Sequence, residues 1–312
     1  MPAPPAPTVL IGTSVETEID RVVDGDTLVV QIAGDEQRLR LLCLDTEESN
    51  PGGDKPVTPW GREAKKEAGR LLPVGAAVTL EFPGTEPLDQ CLVRHRDNFG
   101  RLLVFAHFER GDFQEHMIAA GYSPYFNKYG HADFASHHER YVAAERRAQA
   151  AHVGVWDQVT VNGSEMRNYA TLGAWWRLRA AIIDDHRSHR AADSSLLNSR
   201  LDYAELRELA AQEREATVFT ELASVTRVGQ RRAIVDIGSR QQPFKLFVPD
   251  IESDDGRRLL SLLKTRYIAE DPDRIRRSYA YVRGQLKLFR DEPELVVVQA
   301  SQVTDTPPSA LG

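Results

Sequence analysis

A small set of charged residues in the first third of the chain has the types and spacing needed for phosphodiester chemistry. The set falls into three short motifs beside strand-like segments: Asp24-Gly25-Asp26-Thr27, then Arg40 with Asp45-Thr46-Glu47-Glu48, then Arg101. Carboxylate oxygens are the ligands that Ca²⁺ and Mg²⁺ prefer, and guanidinium groups bind phosphate through parallel hydrogen bonds. The set therefore indicates a divalent cation beside a phosphate group.

Each acidic motif also has an ordinary structural interpretation. Asp24-Gly25-Asp26 alone is typical of a β-turn, and Asp45-Thr46 is typical of a cap at the end of a strand. Taken together, two acidic turns at the ends of neighbouring strands could place Asp26 and Asp45 on one cation. Hard oxygen ligands of this kind suit Ca²⁺ or Mg²⁺ rather than zinc.

The arginines give the more specific signal. Alternation along a strand would place Arg40 on one face with Leu42 and Leu44. A guanidinium in such a place needs an anionic partner, either a phosphate or a nearby carboxylate. Arg101 alone is typical of a solvated turn, but two guanidiniums on one phosphate would stabilise the charge that develops in the transition state. Glu48 is then placed to orient or deprotonate a water molecule.

Alternating apolar patterns predict the elements that must position these residues. They predict strands at about 17–23, 27–32, 37–42, 78–82 and 102–106, and helices at about 58–72, 113–120 and 134–151. Five short strands with three helices predict an OB-like five-stranded β-barrel with peripheral helices over residues 16–158.

The rest of the chain predicts a connector and a second barrel. Residues 159–216 have a helical pattern, and residues 217–303 hold five strands with a helix between the third and fourth, again in OB-like order. The Pro/Ala-rich residues 1–15 are predicted to be a flexible lead-in, and residues 304–312 a disordered tail. The predicted fold class is mixed α+β, with two OB-like barrels joined by a helical connector.

Composition limits the kinds of partner. The net charge of −7 argues against a generally basic nucleic-acid binder, and residues 1–158 alone carry 16 basic and 24 acidic residues. A nucleic acid would therefore bind there through a local positive pocket assisted by a metal ion. Cys43 and Cys91 lack metal-ligand spacing, and Cys43 is predicted to be a buried free thiol. No secretory signal or membrane span is predicted, and the compartment and oligomeric state stay open.

Three motifs, in order and with compatible spacing, resemble the staphylococcal nuclease (thermonuclease) family. They lie at residues 23–27, 40–48 and 97–101, and the similarity covers roughly residues 16–158. The resemblance implies that Asp26 and Asp45 ligate Ca²⁺ together with the backbone carbonyl of Thr46. It also implies that Asp24 supports these ligands without contacting the ion.

The same resemblance implies roles for the remaining residues. Glu48 matches the residue that handles the attacking water, and Arg40 and Arg101 match the two arginines that bind phosphate. The implied reaction is Ca²⁺-dependent hydrolysis of DNA or RNA at the 5′ P–O bond, which leaves 3′-phosphate and 5′-hydroxyl ends. The expected partner is DNA and/or RNA in single-stranded or unpaired regions.

The chain departs from the family pattern at several positions. Glu47 stands where the family commonly has proline, so an extra carboxylate could perturb Glu48 or add a metal ligand. Phe99 stands in place of a tyrosine that contacts the nucleotide, which leaves stacking possible. Tyr129 could supply a second aromatic side chain near the base or belong to the core. Residues 86–96 form a longer segment than the minimal family loop.

Other groups are given simpler interpretations. His137 and His138, beside a predicted helix start, are expected to be a solvated pair rather than metal ligands. Basic residues 274–277 could follow a phosphate backbone or form a solvated helix face. The second barrel could hold single-stranded nucleic acid. The alternative function is a non-catalytic scaffold of two OB barrels that binds nucleic acid or protein.

Overall fold

The chain divides into two compact units, Met1–Trp176 and Arg177–Gly312. The structure, a computed structural model, describes residues 9–50, 58–97, 99–126, 134–157, 169–268 and 276–308.

The first unit is built around a closed five-stranded barrel. Its strands are β1 (Ser14–Asp24), β2 (Thr27–Ile32), β3 (Asp35–Leu41), β4 (Ala77–Glu81) and β5 (Leu102–Phe108), and the short β6 (Gly111–Asp112) pairs with β5. β1 is long enough to pair with β4 through its first half and with β2 through its second half. Antiparallel β2–β3 and β4–β5 pairs and a parallel β3–β5 pair close the ring. The predicted OB-like barrel is confirmed.

The described residues of this unit also form the α-helices α1 (Pro59–Leu71), α2 (Leu88–Arg94), α3 (Phe113–Ala119) and α4 (Ala135–Ala150). α1 begins where the sequence indicates, because the Thr58 hydroxyl accepts a hydrogen bond from Gly61 N at 3.1 Å and Pro59 occupies the first helical turn. α2 lies in the segment that was predicted to be a loop. Its seven residues make fewer than two full turns, which is too short for a clear helical period.

The chain kinks directly after β3. β3 ends at Leu41, and Cys43 adopts a φ of +64°, so the strand alternation does not continue to Leu44. The Cys43 carbonyl accepts a hydrogen bond from Phe126 N at 2.9 Å, which fixes this left-handed residue. The kink turns the chain out of the strand immediately before Asp45. Cys43 is a buried free thiol, as predicted.

The second unit repeats the same strand order. Its strands are β7 (Leu196–Asn198), β8 (Glu215–Glu221), β9 (Thr226–Val228), β10 (Arg232–Asp236), β11 (Lys245–Val248), β12 (Tyr279–Phe289), β13 (Glu292–Val296) and β14 (Val303–Thr304). The sheet runs β8–β12–β13–β11–β10–β9, and the β11–β13 pair is parallel. Because β8 and β9 follow one another along the chain, the ring is completed by one interrupted strand. This arrangement matches the two halves of β1.

Three helices complete the description: α5 (Tyr169–Ala192), within which the division between the units falls, α6 (Tyr203–Ala211) and α7 (Asp254–Leu262). Ser253 caps α7 by accepting a hydrogen bond from Gly256 N at 3.0 Å. Within the described residues, no helix combines the length and the apolar character needed to span a membrane.

Parts of the predicted connector, lead-in and tail are regular structure. Within 159–216, β7 pairs with β8, and α6 buries Leu206 in the core of the second unit. β1 begins at Ser14, inside the predicted lead-in. Asp305, inside the predicted tail, accepts a hydrogen bond from the Tyr267 hydroxyl at 2.8 Å. Long-range hydrogen bonds order these segments, and local composition does not reveal such bonds.

Candidate functional site

The turn between β1 and β2 packs directly against the second acidic motif. A Cβ atom at Gly25 would lie 2.8 Å from Thr46 Cγ2 and 2.9 Å from the Ala64 side chain, so only glycine fits there. Asp24 and Asp26 flank this glycine and are 8% and 7% exposed. The close approach of the two motifs explains why both carboxylates are buried at one place.

Arg40 joins the two acidic motifs. It lies opposite Thr27 in the β2–β3 ladder and is 7% exposed. Its Nη1 forms an ion pair with Asp26 Oδ2, and its Nη2 donates to Asp45 Oδ1 at 2.9 Å. The structure therefore brings together three of the residues singled out in the sequence, with both carboxylates on one guanidinium.

Backbone contacts hold the second acidic motif in place. Asp45 N donates to Ser123 Oγ at 2.8 Å, and Thr46 N donates to Asp26 Oδ2 at 3.1 Å. The Thr46 hydroxyl oxygen is buried and has no hydrogen-bond partner among the described residues. Ser123 was not anticipated, because it lies 78 positions from Asp45 in a segment without any motif. The atoms of Asp26, Asp45 and Thr46 that could bind a metal ion are all oxygens, which is the ligand set that suits a hard cation.

Negative charge exceeds positive charge at this point. Burial and then the nearby charge of Asp26 raise the pKa of Asp24. Backbone amides oppose this effect, since Asp24 Oδ1 accepts from Gly25 N at 2.9 Å and Oδ2 accepts from Ser49 N at 3.3 Å. Among the described residues, these two motifs hold the buried carboxyl groups of Asp24, Asp26 and Asp45, and Arg40 pairs with the last two. An additional cation would stabilise their ionised forms.

A tight turn before β5 positions the second arginine. The buried Asp97 accepts hydrogen bonds from the backbone amides of Phe99 and Arg101, both at 2.9 Å, and from Arg101 Nε at 2.7 Å. Arg101 Nη1 lies 3.4 Å from the Thr27 hydroxyl, so this guanidinium reaches the start of β2. The Phe99 ring is 75% exposed and lies 5.5 Å from the Arg101 guanidinium carbon, where a planar group could stack.

The start of α1 supports the two glutamates. The Glu48 carbonyl accepts a hydrogen bond from Thr58 N at 3.2 Å, and a Cβ atom at Gly61 would lie 2.0 Å from the same oxygen. Glu48 is half-buried, whereas Glu47 is only 1% exposed. Tyr129 lies outside the described residues.

Comparison with known proteins agrees with this geometry. The family model described as "Staphylococcal nuclease homologue" matches residues 38–158. This match supports the staphylococcal nuclease family for the N-terminal half. The matched segment contains Arg40, Asp45, Glu48 and Arg101, and it begins after Asp24 and Asp26.

Individual nucleases are similar over the same half of the chain. A thermonuclease of Staphylococcus hyicus is 29% identical over 139 residues, which cover 45% of this chain and 74% of that protein. The SPbeta prophage-derived endonuclease YokF of Bacillus subtilis is 27% identical over 46% of this chain and 45% of its own length. Endonuclease YncB of the same species is 32% identical over 34% of this chain and 46% of its own length. The chain thus spans less than half of each of these two Bacillus subtilis proteins.

These similarities support a nuclease function for the staphylococcal nuclease-like unit, and a nuclease is a hydrolase. Nucleic acid is the substrate class that such relatives imply. The second unit lies outside the matched segment, which ends at residue 158.

Proposed function

We propose that the first unit is a Ca²⁺-dependent nuclease that hydrolyses phosphodiester bonds of DNA and/or RNA and leaves 3′-phosphate and 5′-hydroxyl ends. The observation that carries the proposal is the placement of Asp26 and Asp45 on the single guanidinium of Arg40. Because one positive group contacts both carboxylates, the two carboxylates are close enough to bind a common metal ion. The nuclease relatives support the reaction class.

The oxygen-rich donor set fits a hard divalent ion. Asp26, Asp45 and the carbonyl of Thr46 would hold Ca²⁺, while Asp24 stays outside the ligand set and orders the turn through Gly25 and Ser49. When bound, the ion would supply positive charge for the phosphate group. Glu47, which follows Thr46 in the chain, is a further buried carboxyl group in this segment.

The remaining residues act on the phosphate and the water. Arg40 and Arg101 bind the phosphate oxygens and stabilise the charge that grows on them in the transition state. Glu48 accepts a proton as the water oxygen bonds to phosphorus and the bond to the 5′ oxygen breaks. The departing 5′ oxygen takes up a proton from solvent. The exposed Phe99 ring offers a stacking surface for a base.

For the second unit we propose binding of single-stranded nucleic acid. OB folds bind oligonucleotides through the loops that join strands 1 and 2 and strands 4 and 5. Here the first of these loops, between β9 and β10, is flanked by the exposed arginines Arg227 in β9 and Arg232 in β10. The second, between β12 and β13, carries exposed Phe289, and the Arg290 guanidinium lies 5.2 Å from that ring. Basic groups beside an exposed aromatic ring suit a phosphate backbone with stacked bases.

A cleavage assay on supercoiled plasmid and on single-stranded RNA tests the nuclease proposal. The wild-type chain should cleave with Ca²⁺ and stop when a chelator removes it, and the ends of the products should be 3′-phosphates. Glu48→Ala should lose cleavage by about 10²–10⁴-fold, the typical contribution of general acid–base catalysis.

Glu63→Gln provides the matched control, because Glu63 is an exposed carboxylate on α1 that forms only a long 3.8 Å pair with Lys66. It should cleave like the wild type. If Ca²⁺ produces no cleavage and Glu48→Ala behaves like the wild type, the nuclease proposal is wrong, and the scaffold of two OB barrels is the remaining alternative.

A further inference from the structure

A buried cluster of one glutamate and two histidines lies apart from the carboxylate site. Glu81 ends β4, His107 lies in β5, and His137 lies in the first turn of α4. Glu81 and His137 are fully buried, and His107 is 7% exposed. The expectation that His137 is solvated is therefore wrong. Its partner Glu81 is 56 positions away, beyond the reach of any local pattern.

Three side-chain atoms converge in this cluster. Glu81 Oε2 lies 2.7 Å from His107 Nε2 and 2.9 Å from His137 Nε2. The two imidazole rings meet edge to face, with centroids 6.1 Å apart and planes at 79°, so they approach the oxygen from different directions. Glu81 Oε1 is fixed separately by the backbone amides of Ile11 and Gly12, at 2.7 and 2.8 Å. Two ring nitrogens thus converge on one carboxylate oxygen.

We propose that Glu81, His107 and His137 bind Zn²⁺. Two imidazole nitrogens and one carboxylate oxygen are ligands that zinc takes in proteins, commonly with a water molecule in the fourth position. The three atoms lie within 4.8 Å of one another, so small side-chain shifts place an ion among them. The ligands come from two strands and a helix, and the ion would join α4 to the barrel.

One member of the cluster borders a cavity. His107 is the least buried of the three residues and lines a cavity of about 810 Å³ together with Leu72, Thr79 and Phe108. An ion would enter the cluster from this side.

A second group, Glu86, Cys91 and His95, is the competing candidate among the described residues. It is less suited to zinc as it stands. Burial raises the pKa of Cys91 to about 11, and its thiol donates to the Glu86 carbonyl oxygen at 3.3 Å. A protonated thiol is a poor ligand, because the thiolate is the form that binds metal.

The experiment is a Zn²⁺ titration of tag-free, chelator-treated full-length protein, followed by calorimetry and by thermal unfolding. One Zn²⁺ should bind per chain and raise the unfolding temperature, since an ion that binds only the folded state stabilises it. His107→Gln and His137→Gln keep an N–H near Glu81 but remove the imidazole. Each should weaken Zn²⁺ affinity by more than about 100-fold, since loss of even an outer hydrogen-bond partner costs 10–100-fold.

Two further variants separate the other sites. Cys91→Ser removes the competing cluster, and Asp45→Asn removes the carboxylate site; both should bind Zn²⁺ like the wild type. Co²⁺ gives a second readout, with a d–d spectrum free of thiolate charge-transfer absorption. The proposal is overturned if the wild type binds no Zn²⁺, or if binding survives in both folded histidine variants, as checked by circular dichroism. Loss of binding in Cys91→Ser would assign the ion to the competing cluster and would equally overturn it.

Discussion

The two barrels share one strand order but carry opposite charges on the same loop. In the first barrel the loop between its first two strands is Asp24-Gly25-Asp26, and in the second it is Gly229-Gln230-Arg231. A backbone hydrogen bond holds each loop: Asp26 O accepts from Leu41 N at 2.9 Å, and Arg231 O accepts from Ile251 N at 2.7 Å. An acidic and a basic side chain therefore occupy the corresponding loops of the two barrels.

This difference indicates that the barrel fixes where the loops lie, whereas the residues in the loops determine which groups can bind there. In the first barrel the acidic loop lies against Thr46 and forms an ion pair with Arg40, which suits a bound cation beside phosphate. In the second barrel Arg231 pairs with Asp250 on the surface, and Arg227 and Arg232 are exposed. We infer that the first barrel reaches phosphate with the help of a metal and that the second attracts it directly.

The largest expected effect is at Arg40. Arg40→Lys keeps the charge but cannot donate to Asp26 and Asp45 in parallel, so it should lower kcat by about 10²–10³-fold. Arg231→Ala, a more drastic change on the loop of the second barrel, should leave cleavage of a short oligonucleotide unchanged. Steady-state kinetics on that oligonucleotide measures both.

The two outcomes test the division of labour directly. Equal losses in both variants would mean that the second barrel takes part in the chemistry. An Arg40→Lys variant with full activity and normal folding would show that Arg40 is only an ion-pair partner of the carboxylates.

The parts of this division that lie in local motifs could be predicted from the sequence. Thr58-Pro59 indicated the start of α1, and the acidic turns indicated the joint placement of Asp26 and Asp45. The contacts that depend on distant residues could not be predicted. Ser123 binds Asp45 across 78 positions, and Glu81 binds His137 across 56, and neither leaves a local pattern. Periodicity reports which face of an element is buried, not what it meets.

The second expected effect concerns the two arginines that flank the basic β9–β10 loop of the second barrel. Arg227→Ala with Arg232→Ala should weaken binding of a long single strand and reduce the salt slope by about 0.7 per lost phosphate contact. Fluorescence anisotropy at several salt concentrations, with Glu48→Ala in the background to prevent cleavage, measures this. The charge-matched control is Arg257→Ala with Arg258→Ala, on the exposed face of α7.

The control pair on α7 shows whether a loss of binding is specific to the arginines of the second barrel's β9–β10 region. Equal weakening by both pairs would reduce the basic loop to a general charge effect. No change in affinity or slope for the β9–β10 pair would remove the second barrel as the proposed binding surface.

A smaller effect is expected at Glu47. Glu47→Gln removes one negative charge from a buried position next to Thr46 and should weaken Ca²⁺ affinity several-fold, by about 1 kcal/mol in a partly screened site. The Ca²⁺ concentration that gives half-maximal cleavage measures this, with Glu63→Gln as the control. An unchanged Ca²⁺ requirement would mean that Glu47 acts on the fold alone.

The smallest effect is in stability and depends on pH. In the first unit, hydrogen bonds from Arg70 outweigh burial and lower the pKa of Glu67 from 4.5 to about 2. A lowered folded-state pKa means that the ionised form stabilises the fold above the unfolded value and that this contribution is lost as pH falls from 4.5 towards 2. Glu67→Gln should therefore cost about 1 kcal/mol at neutral pH, the upper range for a surface pair, and nothing near pH 2.

Asp305 gives the corresponding test in the second unit. Hydrogen bonding from Arg266 lowers the pKa of Asp305, so Asp305→Asn should also lose its effect in acid. Denaturant unfolding of both variants from pH 7 to acid measures the two contributions. Because the ion pairs Glu67–Arg70 and Asp305–Arg266 lie in separate compact units, the double variant should lose the sum of the two single losses. A clear departure from that sum would show that the two barrels do not unfold independently, and the comparison between them would then have to include their coupling.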